Sequence, residues 1–319
     1  MLAAVRPENG LHARVRALLS LALAAALACA SVPSPPVETG QLFLWEVARS
    51  DGRGGVAHVL GSVHMADDPL AFDPAVDRAL AEAEALVLEV DPEQLAPAEM
   101  AQLVAAIGLF QDGRTLDQVV RPETWAALSR YLAERQLPAS MFRAFEPWYA
   151  LVTLQVMALE FEGFEAGQGV EMTLTRVAEE SGKPTLGLET AAEQFDAFDA
   201  LPLDVQARML HDFLVEEDGD ERGGVETISL LIDAWEKGDA ARIEAEVFAG
   251  LASDPTLAPY FERFYFERNR DMAHDIAELV DGGGRWFVAV GAAHVVGARG
   301  IPSLLVERGY AVRRVPKTR

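Results

Sequence analysis

Two apolar stretches of this 319-residue chain end in the same step, a glycine followed three residues later by a histidine. In "HVLGSVH" (58–64) the pair is Gly61 and His64, and in "FVAVGAAH" (287–294) it is Gly291 and His294. Glycine lets a strand end turn sharply and lets another group approach the backbone. The side chain leaving each turn is an imidazole, and two neutral imidazoles brought together begin a transition-metal site. Such a site also calls for carboxylate, and two apolar segments carry one: Glu89 in "LVLEVD" and Glu189 in "LGLET". A buried carboxylate needs a cation, a metal or a proton. Asp91, followed by Pro92, is expected to turn into a loop. Arg268 and Asn269 in "FERNRDMA" precede the second glycine-histidine strand, where Arg268 could pair with a buried carboxylate or stabilise oxyanion charge. His274 lines up with Arg270 and Glu278 at helical spacing, so it is expected on a polar face, and His58, His211 and His12 have no partner motif. No GxSxG, P-loop, HExxH or paired CxxC motif occurs, which leaves serine-hydrolase, nucleotide and zincin readings unsupported.

These residues need elements to position them. "QLFLWEVA", a turn "RSDGRGG" and "VAHVLGSVH" predict a hairpin over 42–63. "DPAVDRALAEAEA" predicts an amphipathic helix with Val76, Leu80 and Ala83 on one face, and "LVLEVD" (86–91) a buried strand. The C-terminal end repeats the order, with strand "RWFVAVG", helix "GIPSLLVERG" and strand "YAVRRV". The repeat predicts a mixed α/β sheet built from two pseudo-symmetric strand–GxxH–helix–strand halves. Between them, about 96–277, the pattern is helical apart from a strand at 184–190. The last helix, "YFERNRDMAHDIAELV", has Met272, Ile276, Leu279 and Val280 on its apolar face. One α/β domain over 41–319 with a large helical insertion is the expected organisation.

Net charge is −23, with 50 acidic against 27 basic residues, which argues against nucleic acid or an anionic membrane face as the main partner. Arg6, Arg14 and Arg16 precede the short apolar run "ALLSLALAAALACA", so residues 1–30 read as a secretory signal and 31–40 as a tether. The protein is therefore expected to be exported, to the periplasm or to a membrane as a lipoprotein. Cys29 is the only cysteine and excludes an intrachain disulfide. Lipidation at Cys29 and cleavage after Ala30 both remain open, because Ala26 stands where a lipobox usually has Leu.

In this order the landmarks "LGSVH", "LVLEVD", "GVEMTLTRVAEESGKPTLGLET", "ERNRDMA" and "VGAAHVVGARGIPSLLVERGYAVRRV" resemble the TraB/GumN family, which includes the Tiki-type metalloproteases. The likeness runs from about Phe43 to Val315. It implies a fold similar to erythromycin-esterase (EreA) and haem-binding ChaN-like proteins. It also implies a divalent-metal-dependent hydrolase, manganese or cobalt first and zinc or iron next, acting on a peptide or protein in the cell envelope. His64, Glu89 and His294 would be metal ligands, Glu189 a further ligand or general base, and Arg268 the electrophilic stabiliser, with Asn269 beside it in the catalytic set. Two departures stand out: Ser62 where Thr is more usual, and Glu171 where the family mostly has Asp. The rival readings are an envelope lipoprotein that binds haem or metal without turnover, and a degenerate member that supports an envelope complex.

Overall fold

A computed structural model describes residues 40–64, 72–161, 163–164, 168–216, 221–253 and 257–318. The predicted signal, its Cys29 and the tether lie outside the described residues. Strands β1 (Gln41–Arg49) and β2 (Val56–Ser62) form the expected hairpin, with Leu44 opposite Leu60. With β3 (Ala85–Val90), β4 (Thr185–Glu189), β5 (Arg285–Gly291) and β6 (Tyr310–Pro316) they make one sheet, ordered β4-β3-β5-β2-β1-β6. β1 runs antiparallel to both its neighbours, while β2, β5, β3 and β4 pair in parallel, so the sheet is mixed. Parallel strands covered on both faces carry continuous apolar runs, and all six residues of β3 are buried.

Strand alternation sends Leu44, Leu60, Leu86, Leu88 and Phe287 to one face, and Phe43, Val47, Val59, Val87 and Val288 to the other. Helix α1 (Pro74–Glu82) covers the first face. It starts with Asp73 accepting from the Ala75 N–H and proline at its first position, and it buries Val76 and Leu80. The helical region follows, with α2 (Pro122–Glu134), α3 (Pro147–Phe161), α4 (Val170–Ser181), α5 (Ala191–Asp199), α6 (Leu203–His211), α7 (Glu221–Lys237) and α8 (Ala240–Val247). The cluster on the second face runs unbroken from the sheet to Leu128, Leu151, Leu210 and Val247, so the insertion shares the sheet's core. A π-helical turn, Glu262–Glu267, leads into α9 (Arg268–Gly282), which buries Met272, Ile276 and Val280 against that face and leaves Leu279 half-buried.

The two glycine-histidine units match in element order but not in spacing. From β2 the chain crosses β5 to reach β3; from β5 it crosses β2 and β1 to reach β6 through α10 (Ile301–Glu307). The two crossover helices cover opposite faces, α1 with Leu60 and Phe287, α10 with Val59 and Val288. What the units share is the place where they turn. β2 and β5 are parallel neighbours, with Gly61 beside Val290 and Ser62 beside Gly291. Both turns therefore leave the same end of the sheet.

Candidate metal and carboxylate site

Each glycine makes room for the other turn. A Cβ on Gly61 would lie 2.6 Å from Val295 Cγ2 and 3.3 Å from Ala292 Cα, both in the short 3₁₀ turn (Ala292–Val295) that carries His294. A Cβ on Gly291 would lie 3.3 Å from His64 Nε2, 3.3 Å from Glu89 Oε1 and 3.5 Å from His294 Cδ2. The strand ends thus bring His64, Glu89 and His294 around one bare backbone position. In parallel α/β sheets this carboxyl edge is where ligands bind.

His294 is held deep in the protein, its side chain 5% exposed. Its Nδ1 lies 2.5 Å from Asn269 Oδ1, while Asn269 Nδ2 donates to the Arg299 carbonyl at 2.8 Å. That second bond fixes the amide, so Oδ1 faces the ring and the Nδ1–H must donate to it. In the neutral ring the Nε2 lone pair then looks toward Glu89 Oε1, 3.6 Å away. Burial pushes the His294 imidazole down to about 3, so the neutral ring is the form at neutral pH. Glu89 Oε1 also accepts from the Gly291 N–H at 2.6 Å.

The other oxygen of Glu89 belongs to a second group. Arg268 Nη2 donates to Glu89 Oε2 at 2.8 Å and to Glu189 Oε1 at 2.5 Å, Nε donates to Glu189 Oε2 at 2.9 Å, and Nη1 donates to the Phe264 carbonyl at 3.0 Å. Gln194 Nε2 donates to Glu89 Oε2 at 3.0 Å and Glu189 Oε1 at 3.3 Å. Arg268 is thus the cation that pays for burying both glutamates. Burial alone would raise Glu89, but surrounding positive charge and the Gly291 N–H hold it down at about 2. That positive charge comes from His294, the Arg268 guanidinium and His64, in that order. Burial raises Glu189 from its ordinary value despite Arg268, with Glu89 adding repulsion. Two carboxylates on one guanidinium are thereby driven apart in acidity.

His64 occupies a different setting. Its side chain is 63% exposed, and its Nδ1 lies 2.9 Å from Glu171 Oε1. The Ser62 hydroxyl donates to the same oxygen. The Val170 N–H donates to the Val63 carbonyl at 2.9 Å, tying the start of α4 to the histidine turn and so placing Glu171. The Glu171 charge raises the His64 imidazole to about 9, and contact with water screens part of that pairing.

All six residues singled out in the sequence come to this edge, but they divide the work. Glu189 spends both oxygens on Arg268 and stands with it rather than with the histidines. Asn269 acts through His294. Sequence reasoning did not assign Glu171, Ser62 or Gln194, which sit on a helix, at a strand end and on a helix, where polar residues are ordinary. Within the described residues, the ligating atoms of His64, Glu89 and His294 do not all fall within 4.8 Å of one another. His274, Asp275 and Glu278 of α9 meet that distance, on a largely exposed helical face.

Comparison with known proteins bears on identity. The chain is similar to the uncharacterized protein YbaP of Escherichia coli (strain K12), 25% identical over 252 residues covering 78% of this chain and 87% of that protein. It is also similar to the uncharacterized protein YbaP of Shigella flexneri, 24% identical over 253 residues with the same coverage. No solved structure matches the chain significantly. The model of the TraB/PrgY/gumN family matches residues 43–314, from the first strand to the last, and with this span the chain belongs to the TraB/PrgY/gumN family.

Proposed function

We propose that the protein is an exported hydrolase that depends on a divalent metal, and that its substrate is a peptide or protein. One observation carries the metal. His294 Nε2 and Glu89 Oε1 are two acceptors 3.6 Å apart in a buried corner, each fixed by a donor–acceptor contact on its far side. Two facing lone pairs repel unless a cation or a proton lies between them. A metal fits that donor set, and imidazole with carboxylate suits manganese, cobalt, zinc or iron. His64, Glu89 through Oε1, and His294 would hold it. Asn269 and Glu171 would set the two ring tautomers, the outer support such ligands usually have.

When bound, the metal would polarise a carbonyl and lower the pKa of water. The remaining steps fall to the chain's own groups. Glu189, raised by burial from its ordinary value, is the more basic carboxylate of the pair and would be the one to accept a proton during the reaction. Arg268 makes four of its hydrogen bonds to Glu89, Glu189 and Phe264, and its remaining Nη1–H would face negative charge developing on the substrate. No described helix is long and apolar enough to cross a membrane. The test is cleavage of a mixed peptide library by purified protein, before and after chelation and metal return. Cleavage that stops on chelation and returns with manganese or cobalt supports the reading. Cleavage that persists under chelation and in His294→Ala contradicts it.

A further inference from the structure

Gln194 makes a side-chain contact in the carboxylate group that charge pairing does not explain. It lies in α5, which starts directly after Glu189 because Thr190 and Glu193 form a reciprocal capping box: the Thr190 hydroxyl accepts from the Glu193 N–H at 3.1 Å, and Glu193 Oε2 accepts from the Thr190 N–H at 2.8 Å. That start point returns Gln194 to the strand ends five residues after Glu189. Its Nε2 and Arg268 Nη2 donate to the same two oxygens, Glu89 Oε2 and Glu189 Oε1. Ionised carboxylates only accept, so the amide must present its NH₂ to them. Two like-charged oxygens are therefore clamped between a guanidinium on one side and a neutral donor on the other. A second cation would compete with an ion at Oε1, whereas an amide holds the oxygens without that cost.

We infer that Gln194 is a positioning residue. By holding Glu89 Oε2 on the Arg268 side, it determines that Oε1 is the oxygen offered to His294 and His64. The effect on metal affinity rests on the function proposed above; the clamp itself does not.

The experiment has two arms on the full chain. In the first, Co²⁺ is titrated into wild type, Gln194→Met (similar length, no donor) and Gln194→Glu (a third acceptor), with affinity and the visible Co²⁺ spectrum recorded. Both variants should bind about 10–100-fold more weakly, as losses of outer support do, and their spectra should shift. In the second, metal-free protein is unfolded in denaturant for wild type, Gln194→Met, Glu89→Gln and the double variant. The two substitutions should be non-additive, because they remove ends of one contact. Unchanged Co²⁺ affinity and spectrum in Gln194→Met, or additive effects in the metal-free cycle, would overturn the inference. Wild type that binds no Co²⁺ while the cycle stays coupled would sink the metal reading and support the clamp.

Discussion

The same sequence step builds two unlike corners. His294 is buried, neutral and tied by an uncharged amide; His64 is exposed and paired with a carboxylate. Asn269 fixes the His294 tautomer without adding charge, which suits a corner that already holds Glu89, Glu189 and Arg268. Glu171 fixes the His64 ring with charge, which water can screen at the rim. A motif therefore specifies where an imidazole leaves the sheet, and the neighbouring helices specify what kind of imidazole it is. The inner corner is buried and bound through an amide, the outer one exposed and bound through a carboxylate.

The largest expected difference between the corners is in stability. Arg268→Met strands two buried carboxylates and should cost about 3–5 kcal/mol, the usual penalty for removing one partner of a buried pair. Denaturant unfolding would measure it, and a loss under about 1 kcal/mol, the range of exposed pairs, would show that water reaches the inner corner.

Metal affinity should show the next largest contrast. Removing outer support for a ligand typically costs about 10–100-fold. Asn269→Ala should fall near the upper end, since the buried ring loses its tautomer control, and Glu171→Gln near the lower end. The reverse order in a Mn²⁺ or Co²⁺ titration would make His64 the anchor.

A pH series on chelated protein should separate the corners by sign. His294 is held at about 3, well below its ordinary 6.5. As pH falls from 6.5 toward 3, the unfolded chain takes up a proton that the folded protein refuses, so stability drops on the acid side. Glu89, held at about 2 from 4.5, adds to that loss below pH 4.5. His64 is raised to about 9, so its contribution is present below 6.5 and fades as pH rises through 9. His294→Ala should flatten the acid limb of Tm against pH, and His64→Ala the alkaline limb. Identical profiles in the two variants would erase the distinction.

The smallest effect is expected at the rim. Glu171→Gln in metal-free protein should cost no more than about 1 kcal/mol, as solvent-screened pairs do. A larger loss would place His64 in the interior.

Much of the inner corner was legible in the sequence, because a charged residue in an apolar strand advertises itself. Glu89 among Val87, Leu88 and Val90 is such a residue, and the glycine-histidine steps mark two strand ends. The hairpin and the helix after it were legible from period and turn chemistry. The outer corner was not. Glu171, Gln194 and Ser62 look like ordinary helix or strand polar residues, and only the tertiary approach of α4 and α5 to the strand ends gives them partners. The mixed sheet was expected from the repeated unit, but the order of its strands was not: that order is decided by which face each helix covers, and local pattern does not encode it. The roles of Arg268 and Asn269 also differ by one residue of helical turn. One side chain reaches the glutamates and the other reaches His294, a distinction of direction that spacing alone leaves open.

The central claim is that two turns with unlike corners serve one ion. Its most direct test is metal content by mass spectrometry on full-chain protein reconstituted with Mn²⁺ or Co²⁺ and desalted, beside His64→Ala and His294→Ala. The account predicts one equivalent per chain in wild type, lost in His294→Ala and weakened enough in His64→Ala to be removed on desalting. Full occupancy retained in His294→Ala, or no metal in any folded sample, would contradict it.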